Sequence, residues 1–358
     1  MKHPNTRQLR TAIAEFRKPS TGVALLIFLI DIIIYISAIV GLVILENTVA
    51  RILCCIVAGT MISSIFVIGH DAAHDAFTGN RTLNRVIAHI AFLPSLHNFG
   101  LWLTEHNRIH HQSTNVQGMD SWSPFSKEEY DAIPAWRKKL EKFYRSPAGI
   151  GFYYMIERWW KNKFYPYEKI AGKYNSVYWD FALVVTYLAL YICLLGYFGK
   201  VLPHTGPIEL IILGFVMPFT QWNFMMGFTV YQHHTHESIA WTRTRYERDQ
   251  LGGQEDFTMH VRYPRWYDMM SHNIMQHTTH HVDPRIPLYH LPGAQQALGK
   301  LMGDELKTVR FTWKGFLQTM ERCKLYDFEN HCWLDFNGNL TSRIKPVIEE
   351  EEYYTNAA

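Results

Sequence analysis

Four apolar stretches, residues 22–45, 52–69, 179–199 and 208–230, limit what this 358-residue chain can become. A bilayer core about 30 Å thick is crossed by about 20 helical residues, and each stretch meets or approaches that length. Backbone polar groups in lipid must be satisfied within the segment itself, so stretches of this kind predict transmembrane helices. The mean hydropathy of −0.12 is near neutral, so a large polar fraction accompanies the spans. That excludes both a wholly embedded bundle and a disordered chain. Asp31 interrupts the first span, while Gln221 and Asn223 lie in the last. Such groups are expensive in lipid and are expected to face the bundle interior. For Gln221 and Asn223 two uses stay open: hydrogen bonding between helices, or support of a site or its water.

The connections differ in charge. Residues 46–51 and 200–207 offer only Arg51 and Lys200, whereas Lys2, Arg7, Arg10, Arg17 and Lys18 precede the first span and the segment from Arg81 onward is rich in cations. The positive-inside rule then puts the N-terminus, the long middle segment and the C-terminus on the cytoplasmic side. The first apolar run is too long for a signal peptide core and is read as a retained span. Roughly a hundred residues separate the second and third spans, too many for a plain loop. Within them, 85–104 (broken by Pro94) and 151–166 are expected to be interfacial helices, with Tyr154, Trp159 and Trp160 anchored at headgroup level. The expected division is an N-terminal cytoplasmic segment 1–21, a membrane-embedded domain 22–302 and a cytoplasmic segment 303–358, with Glu349 to Glu352 in a solvated terminus. A net charge of +3 gives no reason to expect nucleic acid. Five cysteines without a C-x-x-C pair argue against a disulfide framework or a zinc ribbon and fit a reducing compartment.

Nineteen histidines are the chemical signal, and they cluster as HDAAH at 70–74, HNRIHH at 106–111 and HTTHH at 277–281. At this frequency a bare H-x-x-x-H is expected roughly once by chance and each three-histidine pattern roughly 0.05 times. On an α-helix, residues three and four apart share a face. His70 would then project with His74, His106 with His110, and His277 with His280 and His281, with His111 as a further donor. Eight neutral imidazoles exceed what one tetrahedral zinc uses. They suit iron, copper or zinc, and would supply two neighbouring ions. QHHTHES at 232–238 follows the last span and adds His233, His234 and His236; spacing does not choose among them, and His234 is preferred. Asp71, Asp75, Glu105 and Asp283 adjoin the clusters as potential acceptors for ring N–H groups. His3, His89, His97, His204, His260, His272, His290 and His331 are expected to be structural. No dinucleotide fingerprint, P-loop or G-x-S-x-G is present.

The order H-x-x-x-H, H-x-x-x-HH and H-x-x-HH, distributed among apolar spans, resembles the membrane fatty acid desaturase superfamily, most of all its bacterial acyl-lipid omega-6 (Δ12) type. HHTHESIAW from 233, HHVDPRIPLYHL from 280, YRSPAGIGFYYMIERWW and LYDFENHCWLDF from 325 carry the likeness across most of the chain, although Glu237 stands where the family usually has proline. The resemblance implies an all-α, integral-membrane four-transmembrane-helix bundle with interfacial helices and a cytoplasmic histidine-rich diiron cap. It implies that His70, His74, His106, His110, His111, His277, His280 and His281 ligate two Fe ions, with His234 as a further ligand and O2 as co-substrate. A fatty acyl lipid would lose two hydrogens from adjacent carbons in an apolar tunnel. No H-P-G-G haem segment is present, so electrons are expected from an external ferredoxin or cytochrome b5 type donor. A multi-pass protein of a bacterial inner membrane is expected. A hydroxylase or ketolase on the same scaffold is the nearest alternative, and a histidine-rich metal transporter a more distant one.

Overall fold

The computed structural model describes residues 6–166 and 176–343; His3, Lys2 and the acidic Glu349 to Glu352 lie outside the described residues. Four helices are long and apolar enough to cross a membrane: Thr21–Ile44, Thr48–Ala73, Ser176–Val201 and Pro207–His234. Asn47 caps the second, its side chain accepting from the Ala50 amide at 3.0 Å. This helix begins before the expected residue 52 and runs past residue 69 through His70, because Ala72 and Ala73 keep the backbone helical and the histidine is buried. The last span likewise continues to His234. Two long helices thus deliver histidines directly from the apolar layer, with no loop between.

The first helix buries Ala24, Asp31, Tyr35, Ala38 and Leu42. Their spacing forms one stripe, and Leu26, Leu29, Ile33 and Ile36 on the remaining surface are exposed. A helix apolar all round but buried along one stripe is matched to a lipid environment rather than to water. Polar residues inside the spans find protein partners. Asp31 meets His272 at 2.5 Å. Gln221 donates to the Ile56 carbonyl and to Thr60 Oγ1, both at 3.0 Å, and so joins the second and fourth spans. Asn223 donates to the Phe219 carbonyl at 2.8 Å within its own helix. At the end of the bundle away from the histidines, Arg51 is 2.5 Å from Glu209, 2.7 Å from Thr205 and 3.2 Å from the Leu42 carbonyl, clamping the two helical hairpins together.

The middle segment contains the amphipathic helix Arg81–Phe92, then Phe99–Leu103 running into the π-helical turn Thr104–His110, and Ile150–Tyr153 running into the π-helical Tyr154–Phe164. The expected headgroup anchors behave differently from one another. Tyr154 and Trp159 are buried, Trp159 donating to the Leu96 carbonyl at 3.0 Å, and only Trp160 is exposed. The wide turn of the π-helix rolls two of the three aromatics onto the last span, where Tyr154 meets Trp222 and Trp159 meets Phe219. Small ladders depart from a purely helical expectation: His260–Arg262 pairs in parallel with Thr308–Arg310, and Leu325–Asp327 pairs antiparallel with Cys332–Leu334. Strands of three residues are too short to leave a period-two pattern.

Close approach between the middle segment and the last span depends on glycine. A Cβ at Gly227 would sit 2.3 Å from the Ile150 carbonyl oxygen, and one at Gly151 2.3 Å from the Phe224 ring. Gly227→Ala is therefore expected to push Ile150–Tyr153 off the span, at a cost of about 1–3 kcal/mol typical of overpacking. Detergent-solubilised protein should show a lower thermal midpoint; an unchanged midpoint would contradict this packing.

Candidate metal centre

Four elements bring histidines together at one end of the bundle. The second span contributes His70 and its C-cap His74, the last span ends in His233 and His234, the π-helical turn carries His106, His110 and His111, and the short helix His277–Val282 carries His277, His280 and His281. The middle cluster is not arranged as an α-helix. The His111 amide bonds to the His106 carbonyl at 3.1 Å, a five-residue step. His106 and His111 therefore converge, their Nε2 atoms 3.2 Å apart, while His110 turns toward other partners. The expected pairing of His106 with His110 is corrected by this extra residue per turn.

Two groups result. His70, His74, His106 and His280 have ligand atoms within 4.8 Å of one another, and so do His110, His234, His277 and His281. His111 joins the first group through Nε2 contacts of 3.2 Å to both His106 and His280. In the second group Nε2 of His110 is 3.1 Å from Nε2 of His281, and Nε2 of His234 is 3.0 Å from Nε2 of His277. Two ligands about 2.1 Å from one ion and at right angles to each other lie about 3.0 Å apart, so this spacing fits a shared metal.

Three of the four rings in the second group also have their tautomers fixed. His110 Nδ1 donates to Asp120 at 2.7 Å, His281 Nδ1 to Gln254 at 3.2 Å and His234 Nδ1 to the Phe257 carbonyl at 3.3 Å. In each the lone pair of Nε2 is left to face the centre. His74 Nε2 is buried and has no hydrogen-bond partner, a cost that a bound cation would remove. Burial, followed by the mutual repulsion of neighbouring rings, holds His74, His106, His111, His277, His280 and His281 well below the usual histidine range, which keeps them neutral as ligands must be. Burial works to raise the Asp120 carboxyl, but His110 and His234, with the Asn115 amide, hold it well below the carboxylate range. The residues present therefore fit two metal ions side by side.

All nine sequence-selected histidines meet here. Of the three left open after the last span, His234 joins the group, His233 stacks on His277 with ring centres 3.6 Å apart, and His236 bonds to Ser238. The carboxylates beside the clusters serve elsewhere: Asp71 accepts from the Leu288 amide, Asp75 pairs with Arg81, Glu105 lies 3.5 Å from Arg158, and Asp283 pairs with Arg17 and Arg285. Asp120 and Gln254, which do contact ligand-type rings, were not legible at helical spacing. Asp120 reaches the site from a loop after the left-handed Asn115 (φ 55°), and Gln254 from the start of the short 3-10 helix Gln254–Phe257. Gln221 and Asn223 bond within and between the spans as described above.

A cavity leads to the histidines between the second span, the last span and residues 267–274. Phe66, Val67, Met225, Met226, Val230 and Ile274 make most of its wall apolar, and His70, His106, His110 and His277 line its histidine end. Glu105, Arg158 and Lys163 add charge to the lining. Burial, then Arg158, pulls the Lys163 ammonium down to about 8.

Four helices apolar enough to cross a membrane, with two imidazole groups that could hold metal beside a largely apolar cavity, describe a helical membrane protein with a candidate metal centre. The family model for fatty acid desaturases matches residues 46–313, and the chain belongs to that family. It is accordingly an oxidoreductase acting on lipid. An sn-1 oleoyl-lipid 12-desaturase of Picosynechococcus sp. is 29% identical over 78% of this chain and 77% of its own. One of the same name from Synechocystis sp. is 29% identical over 76% and 75%. The chloroplastic omega-6 fatty acid desaturase of Spinacia oleracea is 29% identical over 82% of this chain, which spans 62% of that longer relative.

Removing the acceptor of His110 isolates the role of its orientation. Asp120→Asn is expected to lower metal retention about 10–100-fold, as loss of such partners does elsewhere. Equilibrium dialysis against graded chelator, followed by elemental analysis, reads this out, and wild-type retention would exclude an orienting role.

Proposed function

We propose that this chain is an O2-dependent acyl-lipid desaturase of the Δ12 (omega-6) type, introducing a cis double bond into the acyl chain of a membrane lipid. The observation carrying this reading is the pair of adjacent Nε2 groups at the end of an apolar cavity. The relatives named 12-desaturase and omega-6 desaturase supply the position of the double bond. His70, His74, His106, His111 and His280 would hold one iron ion, and His110, His234, His277 and His281 the other. Two ferrous ions bound there supply reductive activation of O2 to a species able to take hydrogen from an unactivated methylene, with two electrons and two protons completing its conversion to water.

The protein's own contribution is to hold, orient and exclude. Phe66, Val67, Met225, Met226 and Val230 bind methylenes without offering a polar group, so the reacting carbons are placed by shape alone. Trp102, stacked on His106 with centres 4.5 Å apart, fixes that ring and shields it from water. Asp120, Gln254 and the Phe257 carbonyl keep proton-bearing Nδ1 atoms on the outside of the second group. No side chain has to act as base on the substrate, since C–H bonds of this kind are too weakly acidic for general base catalysis.

The cation distribution of the sequence supports a histidine end on the cytoplasmic side. It supports Arg81–Phe92 and Tyr154–Phe164 lying along that surface, within a membrane-embedded domain 22–302. A bacterial inner membrane and an external ferredoxin or cytochrome b5 type donor complete the proposal.

Expression in a host without polyunsaturated lipids, followed by mass spectrometry of fatty acid methyl esters with double-bond localisation, tests the reaction. A diene carrying its new bond at carbon 12 is expected; an oxygenated product would move the chain to hydroxylation. His110→Ala and His280→Ala should each reduce diene to background and lower the iron content, and wild-type iron and activity in either would refute the ligand assignment.

A further inference from the structure

Outside the histidine centre, one surface combines cations without partners and large apolar side chains without cover. Arg262 and Arg310 are cross-strand neighbours in the parallel ladder, and Arg265 and Lys314 begin the two helices that follow those strands. All four are exposed, and none forms an ion pair with a described carboxylate. Asp268, the acid on the same short helix, faces inward at 3.5 Å from Gln276. Among these cations stand Trp266, Met269, Trp313 and Leu317, which are 66%, 64%, 66% and 47% exposed. So much uncovered apolar area marks a contact surface.

Its position identifies the contact. Trp313 packs its ring 5.8 Å from Phe228, six residues before the end of the last span, so the patch lies beside the last turns of that span. Tryptophan at the edge of an apolar layer with arginine and lysine next to it is the arrangement that meets lipid headgroups. The same short segment has a second side. Tyr267, Met270 and Ile274 line the cavity, and Tyr263 stacks on both Tyr267 and Phe311 at 4.2 and 4.4 Å. Arg265–Met270 is therefore a thin wall, with cations and tryptophan outside and the cavity inside.

We infer that Arg262, Arg265, Arg310 and Lys314 bind the phosphate of an anionic glycerolipid at the bilayer surface, and that this wall receives the lipid whose acyl chain enters the cavity. The assignment rests on reading the cavity as the acyl site and specifies its substrate class as an anionic phospholipid. Charge supplies the preference: an acidic headgroup gains from four cations that pair with no described carboxylate, whereas a zwitterionic one brings its own ammonium into their field.

The test uses the whole protein in vesicles of phosphatidylcholine and phosphatidylglycerol, one or other brominated, with tryptophan quenching as readout. The Trp266 and Trp313 component is obtained by difference from Trp266→Phe with Trp313→Phe. Brominated phosphatidylglycerol is expected to quench that component more strongly at equal mole fraction, and high salt should erode the difference. Arg265→Gln with Lys314→Gln should reduce the anionic preference about fivefold for each cation removed, while Arg265→Lys with Lys314→Arg keeps it. Equal quenching by the two lipids, or a preference that survives the glutamine pair, overturns the inference. The salt arm needs no cation variant, so it decides even if the glutamine pair does not fold. Diene formation is measured in parallel in unbrominated oleoyl lipid of each class, with O2 and a reduced ferredoxin or cytochrome b5 type donor supplied. A quenching preference without any diene supports the lipid surface and refutes the reaction; diene without preference does the reverse.

Discussion

Nine imidazoles converge on two small volumes, with facing Nε2 atoms as close as 3.0 Å, inside a protein interior without charge to spare. Two lone pairs at that separation repel, and a proton placed between them satisfies only one pair at a time. The Nε2 of His74 is buried without a hydrogen-bond partner on the protein. The arrangement is costly as protein alone and would become favourable around cations, so that metal binding, if it occurs as proposed, would contribute folding energy to this end of the molecule. Much of the remaining structure serves to impose that convergence: spans that end in histidine, a π-helical turn that redistributes three rings, and a loop and a short 3-10 helix that supply Asp120 and Gln254.

Lipid and metal make opposite demands on the same helices. The second span is apolar and largely buried, yet it carries Ser64 and His70 at its site-proximal end. Ser64 donates to the Met270 carbonyl at 2.6 Å, tying the span to the cavity wall. In the hydrocarbon region such groups are tolerated only when partnered. Gln221 and Asp31 follow the same rule, the first bridging two spans and the second held by His272. Specificity in the apolar layer is therefore set by a few polar contacts, and the Arg51 clamp closes the other end.

Much of this was legible in the chain. Four spans follow from length and hydropathy, and the histidines stand out because several three-residue and four-residue steps recur. The spacing failed at His106 to His111, where it assumed 3.6 residues per turn and the backbone uses a wider one. No local pattern in TEHNRIHH distinguishes the two turns, because the choice is made by rings arriving from His70, His280 and His281. Asp120 was missed for a related reason: its approach depends on a left-handed residue and a loop, which carry no period. Tyr154 and Trp159 look like membrane anchors by type, yet packing against Trp222 and Phe219 claims them for the core.

The N-terminal segment is bound to the helix that bears the last histidine cluster: Arg10 donates to the Val282 carbonyl, and Arg17 pairs with Asp283. These contacts join residues more than 260 positions apart. During synthesis the first helix enters the membrane long before its partner exists, so the latch cannot close while the chain is still being made. Until residue 283 has emerged, the histidines of the first two clusters wait without their third, on an open surface. Metal loading as proposed would thus belong to the final stage of biogenesis, and the N-terminus, made first, would be among the last parts of the molecule to reach its place.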